Sequence, residues 1–240
     1  MNKEKKSKLN IFKEGGGWLS SLIMLILLWI IFAIGSEFFL TFRNIMNIGS
    51  YMSIMGTMAA GLTVAMLLAG LDVSQYSLAA LAGMVLGICF EAGISPWLTL
   101  LIVLAVGILG GSFNAFIITV MGVNPIICTM GTSFIFRGIA YLTTDGRYIR
   151  IKDDAYYFIG KGKLAGIPFC LIIMLITYVV IWFVLKYTVY GRSVFAVGGN
   201  MQVARLAGIN VKKIRFISHI LAGITAVMGG VITVCQASSC

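Results

Sequence analysis

The sequence predicts an all-α protein, a polytopic bundle of transmembrane helices. Three observations predict it. Of 240 residues, 60% are hydrophobic and only 11% are charged, with a mean hydropathy of +1.01. Soluble domains are about 45–50% apolar and about 25% charged, so the bilayer must act as the solvent for most of this chain. The apolar residues form runs of the length a spanning helix needs, about 20 residues. Strict alternation over ten-residue segments is absent, which argues against a β-barrel.

The elements follow in order. The tail MNKEKKSKLNIFK is basic and precedes an apolar stretch. The run 18–35 is too long for a signal-peptide core, and no small-residue cleavage site follows it, so it reads as the first span. Residues 1–17 are then a basic cytoplasmic tail. Further spans are expected at 51–71, 75–90, 96–121, 125–142, 168–186 and 216–236, about seven in all, the third of them short. Lysine and arginine set the orientation. Lys3, Lys5, Lys6, Lys8 and Lys13 place the N-terminus inside. Six spans later Lys186, Arg192, Arg205, Lys212, Lys213 and Arg215 again lie inside, with no acidic residue among them. Loop 143–167 is then external, although it carries Arg147, Arg150, Lys152, Lys161 and Lys163, partly offset by Asp145, Asp153 and Asp154. Gly107 and Gly111, and the series Ala79, Gly83, Gly87, put small residues on one helix face, where another helix packs closely.

The net charge of +10 is explained by these flanking residues. The basic residues do not alternate with aromatics, so no nucleic-acid partner is expected. Cys89, Cys128, Cys170, Cys235 and Cys240 form no CxxC pair; buried free thiols are expected, with no disulfide framework and no metal site.

Three stretches carry candidate functional residues. GRSVFAVGGNMQVARLAGINVKKIR, residues 191–215, is the least hydrophobic long stretch on the inner side. Gly198 and Gly199 interrupt it, Asn200 can cap a short helix over 201–206, and Ala207 and Gly208 end that helix. Small residues at Ala204, Ala207 and Gly208 would seat it in a groove, and Arg205 and Lys212 suit an acidic or phosphate-rich neighbour. A solvated basic loop is the alternative. In GLDVSQYSLAALAG, residues 70–83, Asp72 or Ser74 can cap the following helix, or Asp72 can hold the helical break rigid or contact a partner. In VNPIICTMGTSFIFRG, residues 123–138, Asn124 caps a helix whose first residue is Pro125, with Thr129, Thr132, Ser133 and Arg137 following. Arg137 falls about 18 Å into that span, a depth at which a charge lines a pathway or snorkels to the interface. Asn114 is a weaker candidate of the same kind, and Asp72, Ser74, Asn124, Pro125, Thr129 and Thr132 complete the residues expected along a translocation pathway. The single histidine, His219, reads as a packed, hydrogen-bonded residue.

These three stretches, in this order, resemble the permease family of ribose-type sugar ABC importers. GLDVSQYSLAALAG resembles the family's GGIDLSVGS segment, and NPIICTMGTSFIFRGIAYLTTDG its PFIxTLGT…RG segment. The 191–215 stretch resembles its most specific signature, GRxxYAxGGNxxAAxxxGI. Gly191, Arg192, Ala196, Gly198, Gly199, Asn200, Ala204, Gly208 and Ile209 fall on that signature. Val203 replaces one alanine, and Val73 and Gln75 depart from the first motif. The similarity runs from about Phe39 to the end. It implies that two such subunits form the pathway, and that 191–215 is a coupling loop docked on a cytoplasmic ATP-binding subunit. It also implies that a periplasmic binding protein delivers the solute, and that the chain sits multi-pass in a bacterial inner membrane. Family members continue for several more helices beyond Cys240, so the permease domain 18–240 is expected to be incomplete at its C-terminus.

Other classes are constrained by absence. No GxxxxGK[ST] phosphate loop is present, GKGKLAG at 160–166 not being one, so the chain is not expected to hydrolyse ATP alone by that route. No catalytic set converges; neither an enzyme activity nor a cofactor is expected. An ion-coupled secondary transporter and a non-functional permease fragment remain as alternatives. Asp72, Glu37 and Glu91 lie near span ends, which disfavours the first.

Overall fold

In the computed structural model, residues 16–144, 146–147 and 149–238 are described, without the side chains of 16–18. Most of the basic tail, Asp145 and Cys240 lie outside the described residues. The chain folds as α1 (Gly16–Gly35), α2 (Phe42–Met66), α3 (Gln75–Glu91), α4 (Pro96–Thr119), α5 (Pro125–Thr144), α6 (Asp154–Lys161), β1 (Lys163–Leu164), β2 (Ile167–Pro168), α7 (Phe169–Tyr187), α8 (Val189–Gly199), α9 (Met201–Leu206) and α10 (Val211–Ala237). The two short strands pair as an antiparallel hairpin. Among the described residues five helices, α2, α4, α5, α7 and α10, are long and apolar enough to cross a membrane, and Leu19–Gly35 of α1 and the whole of α3 are shorter apolar stretches.

Two compact units divide the chain, Met1–Ile48 and Gly49–Cys240. In the first, Phe39 folds back on α1, stacked on Phe32 at 5.6 Å between ring centroids and edge-on to Trp29 at 5.5 Å. The Asn44 N–H donates to Thr41 Oγ1 at 3.3 Å. This cap starts α2 well before the expected residue 51, because a polar cap outweighs the modest hydropathy of the first turns.

In the second unit α10 is central. Of its most apolar window 61% is buried, against 17% for α7 at the perimeter. It packs on α3, α4 and α6. The expected small-residue faces make these contacts. A Cβ on Gly111 would lie 2.5 Å from the His219 carbonyl oxygen, and one on Gly83 2.7 Å from Val234. Helices approach this closely in lipid only where side chains are absent. One apolar cluster includes Leu78, Leu86, Val103, Phe136, Tyr156 and Val227. A second gathers Val64, Leu68, Val194, Val197, Ala204, Val211 and Ile214. Cys89, Cys128, Cys170 and Cys235 are buried and free.

Both polar loops differ from expectation. The 143–167 stretch contains α6, capped by Asp153, whose carboxylate accepts the Ala155 N–H at 2.8 Å. Tyr156 of α6 is buried against Phe90, and an amphipathic helix with a buried ring is what hid inside a basic loop. The 191–215 stretch is mostly helical, spanning part of α8, all of α9 and the start of α10. The two stretches lie at opposite ends of α10. Ile151 donates its N–H to the Ser238 carbonyl at 3.1 Å at one end, while α8 and α9 share the second cluster with Val211 and Ile214 at the other.

Candidate functional site

The signature residues build a compact helical module. Thr188 starts α8, its Oγ1 accepting the Gly191 N–H at 3.2 Å. Gly191 lies against the Leu185 carbonyl and Gly198 against the Leu67 carbonyl, each so close that a Cβ would collide. Asn200 leaves the helix in an extended conformation, φ −156° and ψ 108°. Its Oδ1 accepts the N–H groups of Gln202 at 3.0 Å and Val203 at 3.1 Å, so α9 begins where the sequence predicts. Gly208, at φ +83°, ends it, with the Ile209 N–H reaching back to the Ala204 carbonyl at 3.0 Å. Left-handed backbone is the glycine's reason for being there. Asn210 Oδ1 then accepts the Lys213 N–H at 3.0 Å and starts α10.

Ala204 is buried in the second apolar cluster and seats α9 on the body of this chain, whereas Ala207 and Gly208 are exposed. The outward face is formed by Val203, Arg205 and Leu206, the last 90% exposed. Sequence reasoning passed over Val203 and Leu206; their signal was an apolar pair at i and i+3 in an otherwise polar stretch. Arg192, Ala196 and Gly199 are also exposed, Gly191 is buried and Ile209 half-buried. Tyr190 is half-buried; its hydroxyl is buried with no hydrogen-bond partner among the described residues, and burial pushes its phenol pKa up.

Residues 67–74 and the ends of α3, α4, α5 and α10 form a second group. Asp72 is buried. Its Oδ1 accepts the Ser74 N–H at 2.9 Å and the Ser74 O–H at 2.6 Å. Ser74 Oγ in turn accepts from Asn114 Nδ2 at 2.8 Å. The Ser74 hydroxyl is thereby engaged and makes no helix cap; of the two residues expected there, Asp72 is the one that takes a backbone N–H at the start of α3. Val73 donates its N–H to Thr129 Oγ1 at 3.2 Å, and Thr129 donates to the Pro125 carbonyl at 2.8 Å. Gln75 Nε2 reaches the Ala222 carbonyl at 3.2 Å. His219 is 1% exposed; its Nδ1 lies 3.9 Å from Asp72 Oδ2 and has no hydrogen-bond partner among the described residues. The expectation of a packed histidine holds; that of a hydrogen-bonded one fails at this atom. Asn114 Oδ1 is likewise buried without a partner.

The expected pathway residues thus divide. Asp72, Ser74, Asn114 and Thr129 meet in one buried network. Thr132 is buried beside it, its Oγ1 donating to the Thr129 carbonyl at 3.3 Å. Asn124 is exposed, its Oδ1 accepting the Ile126 N–H at 2.9 Å as the expected cap of α5. Pro125 is the first residue of α5. Arg137 is exposed on α5, and at Gly131 and Gly138 of the same helix an added Cβ would meet nothing within 4 Å among the described residues.

The family described as branched-chain amino acid transport system / permease component matches residues 18–239. The ribose import permease protein of Haemophilus influenzae is 35% identical over 224 residues, covering 92% of this chain and 69% of that protein. The ribose import permease protein of Escherichia coli K12 is 33% identical over 229 residues, covering 92% and 71%. The L-arabinose transport system permease protein of the same strain is 30% identical over 218 residues, covering 91% and 66%. No solved structure matches the chain.

Proposed function

Since the chain belongs to the branched-chain amino acid transport system / permease component family, we propose that it is the membrane-spanning permease subunit of an ABC importer, translocating a monosaccharide or related small polar solute. The observation that carries this reading is the similarity to ribose and arabinose permeases along nine-tenths of the chain. The chain is a multi-pass membrane protein and performs no covalent chemistry; a separate ATP-binding subunit supplies the energy and a solute-binding protein the cargo. The finer assignment places it in the bacterial inner membrane, N-terminus inside, paired with a second permease subunit. The α8–α9 module is the coupling loop. The exposed face of α5 with Asn124 and Arg137 lines the pathway between the two permease subunits.

The experiment is reconstitution in liposomes with the ATPase and solute-binding subunits of the same host. ATP-dependent uptake of radiolabelled ribose, arabinose or allose is expected. Leu206→Asp should abolish co-purification of the ATPase, because a charge would replace the most exposed apolar knob of α9. Retained co-purification removes α9 from the interface. The facing of Asp72 and His219 is the one observation that favours ion coupling; uptake driven by a pH gradient without ATP would establish that reading instead.

A further inference from the structure

Residues 67–74, the connector between α2 and α3, touch the α8–α9 module at one end and three membrane helices at the other. At the first end Gly198 of α8 rests on the Leu67 carbonyl, and Leu68 packs in one cluster with Val194, Val197 and Ala204. At the other end the contacts reach α4 through Asn114, α5 through Thr129 and α10 through His219. We propose that this connector transmits movement of α8–α9 to the membrane helices, and that Asp72 is its positioning residue.

The physical case rests on rigidity. Eight residues of irregular backbone would ordinarily absorb a displacement, because their dihedral angles are soft. Here both ends are pinned. The Gly70 N–H closes onto the Ala65 carbonyl at 2.9 Å and the Ala69 N–H onto Met66 at 3.0 Å, fixing the exit from α2. Gly70 leaves room for the His219 ring, whose Nε2 would lie 3.2 Å from a Cβ there. The Asp72 carboxylate then takes two charge-assisted hydrogen bonds from Ser74, which are stronger than neutral ones, and so fixes the entry to α3. The Ser74 hydroxyl, oriented by Asp72, is the acceptor that holds Asn114. One carboxylate therefore sets the spacing between the connector, α3 and α4. A packed, hydrogen-bonded connector of this kind moves as a unit, the condition for passing a rigid-body shift between distant elements.

The proposal rests on the importer reading above, and the test separates the two. In the reconstituted complex, ATP hydrolysed and sugar carried are measured together, using whichever of ribose, arabinose and allose the wild type transports. Asp72→Asn keeps the shape and removes the charge. Ser74→Ala removes only the hydroxyl that bridges Asp72 and Asn114, and it serves if Asp72→Asn fails to assemble. For either variant, hydrolysis should stay within about twofold while sugar carried per ATP falls about tenfold, within the range of about 5–150-fold usual for coupled sites. Ser133→Ala breaks the 2.7 Å contact of Ser77 with Ser133, between the same α3 and α5 but outside the connector, and should leave the ratio unchanged. An unchanged ratio in both connector variants overturns the proposal. So does an equal fall in Ser133→Ala, or failure of both connector variants to bind the ATPase. A wild-type complex without ATP-driven uptake overturns the importer reading instead.

Discussion

Ala69 carries the left-handed backbone that ends α2, at φ 54°. A Cβ in this conformation costs about 1–2 kcal/mol, and glycine is the usual occupant of such a position. Ala69 is exposed, so its methyl group adds no core packing in return. Ala69→Gly should therefore raise stability by about 0.5–1 kcal/mol, part of the relieved strain being lost to a freer unfolded chain. Thermal unfolding in detergent checks this; a lower midpoint would contradict it. At Asn200 the side chain holds two N–H groups of α9. Asn200→Ala should cost about 1 kcal/mol, localised to a six-residue helix. Hydrogen exchange should speed up at Gln202 and Val203 while α10 keeps its protection.

Between elements, the contact of α4 with α10 depends on missing side chains. Gly111 faces the backbone of His219 and Ile220, which cannot rotate aside as a flexible side chain can. Gly111→Val should force the helices apart at a cost of about 3 kcal/mol or more, seen as a collapse in detergent-solubilised yield. Gly131→Val on α5 places its Cβ where nothing lies within 4 Å among the described residues and should express normally. The same contrast separates two kinds of glycine in one composition: those that join helices of this chain, and those that leave a face open.

On the scale of the whole unit from Gly49 onward, the decisive feature is which loops share an end. The β-hairpin side and the α8–α9 side lie at opposite ends of α10, as the alternation of the spans requires. Cysteine introduced at Lys163 and at Lys212, in a background lacking native thiols, should label with an impermeant maleimide from opposite faces of the membrane. Lys163, in the hairpin, should react in intact cells, and Lys212 only in inverted vesicles. Labelling of both from one face would mean a miscounted span.

Composition and run length sufficed to determine a membrane helix bundle, because the hydrophobic demand of the bilayer is summed over about 20 residues and survives errors in any one. Short-range signals were equally legible. Asn200 capping 201–206, Asn124 with Pro125 opening α5, and the Gly107–Gly111 face all act within a turn or two of their own sequence. Tertiary structure alone decided the rest. His219 stands 147 positions from Asp72 in the chain, and nothing local marks the two as neighbours. Asn114 and Ser74 meet only because α4 and α3 pack side by side, and Ala204 turns inward only because the second apolar cluster lies beneath it. Local hydrogen-bond chemistry is written in spacing; which buried polar groups meet is settled by helix packing, where rotating a helix by about 100°, one residue's worth, exchanges one set of partners for another.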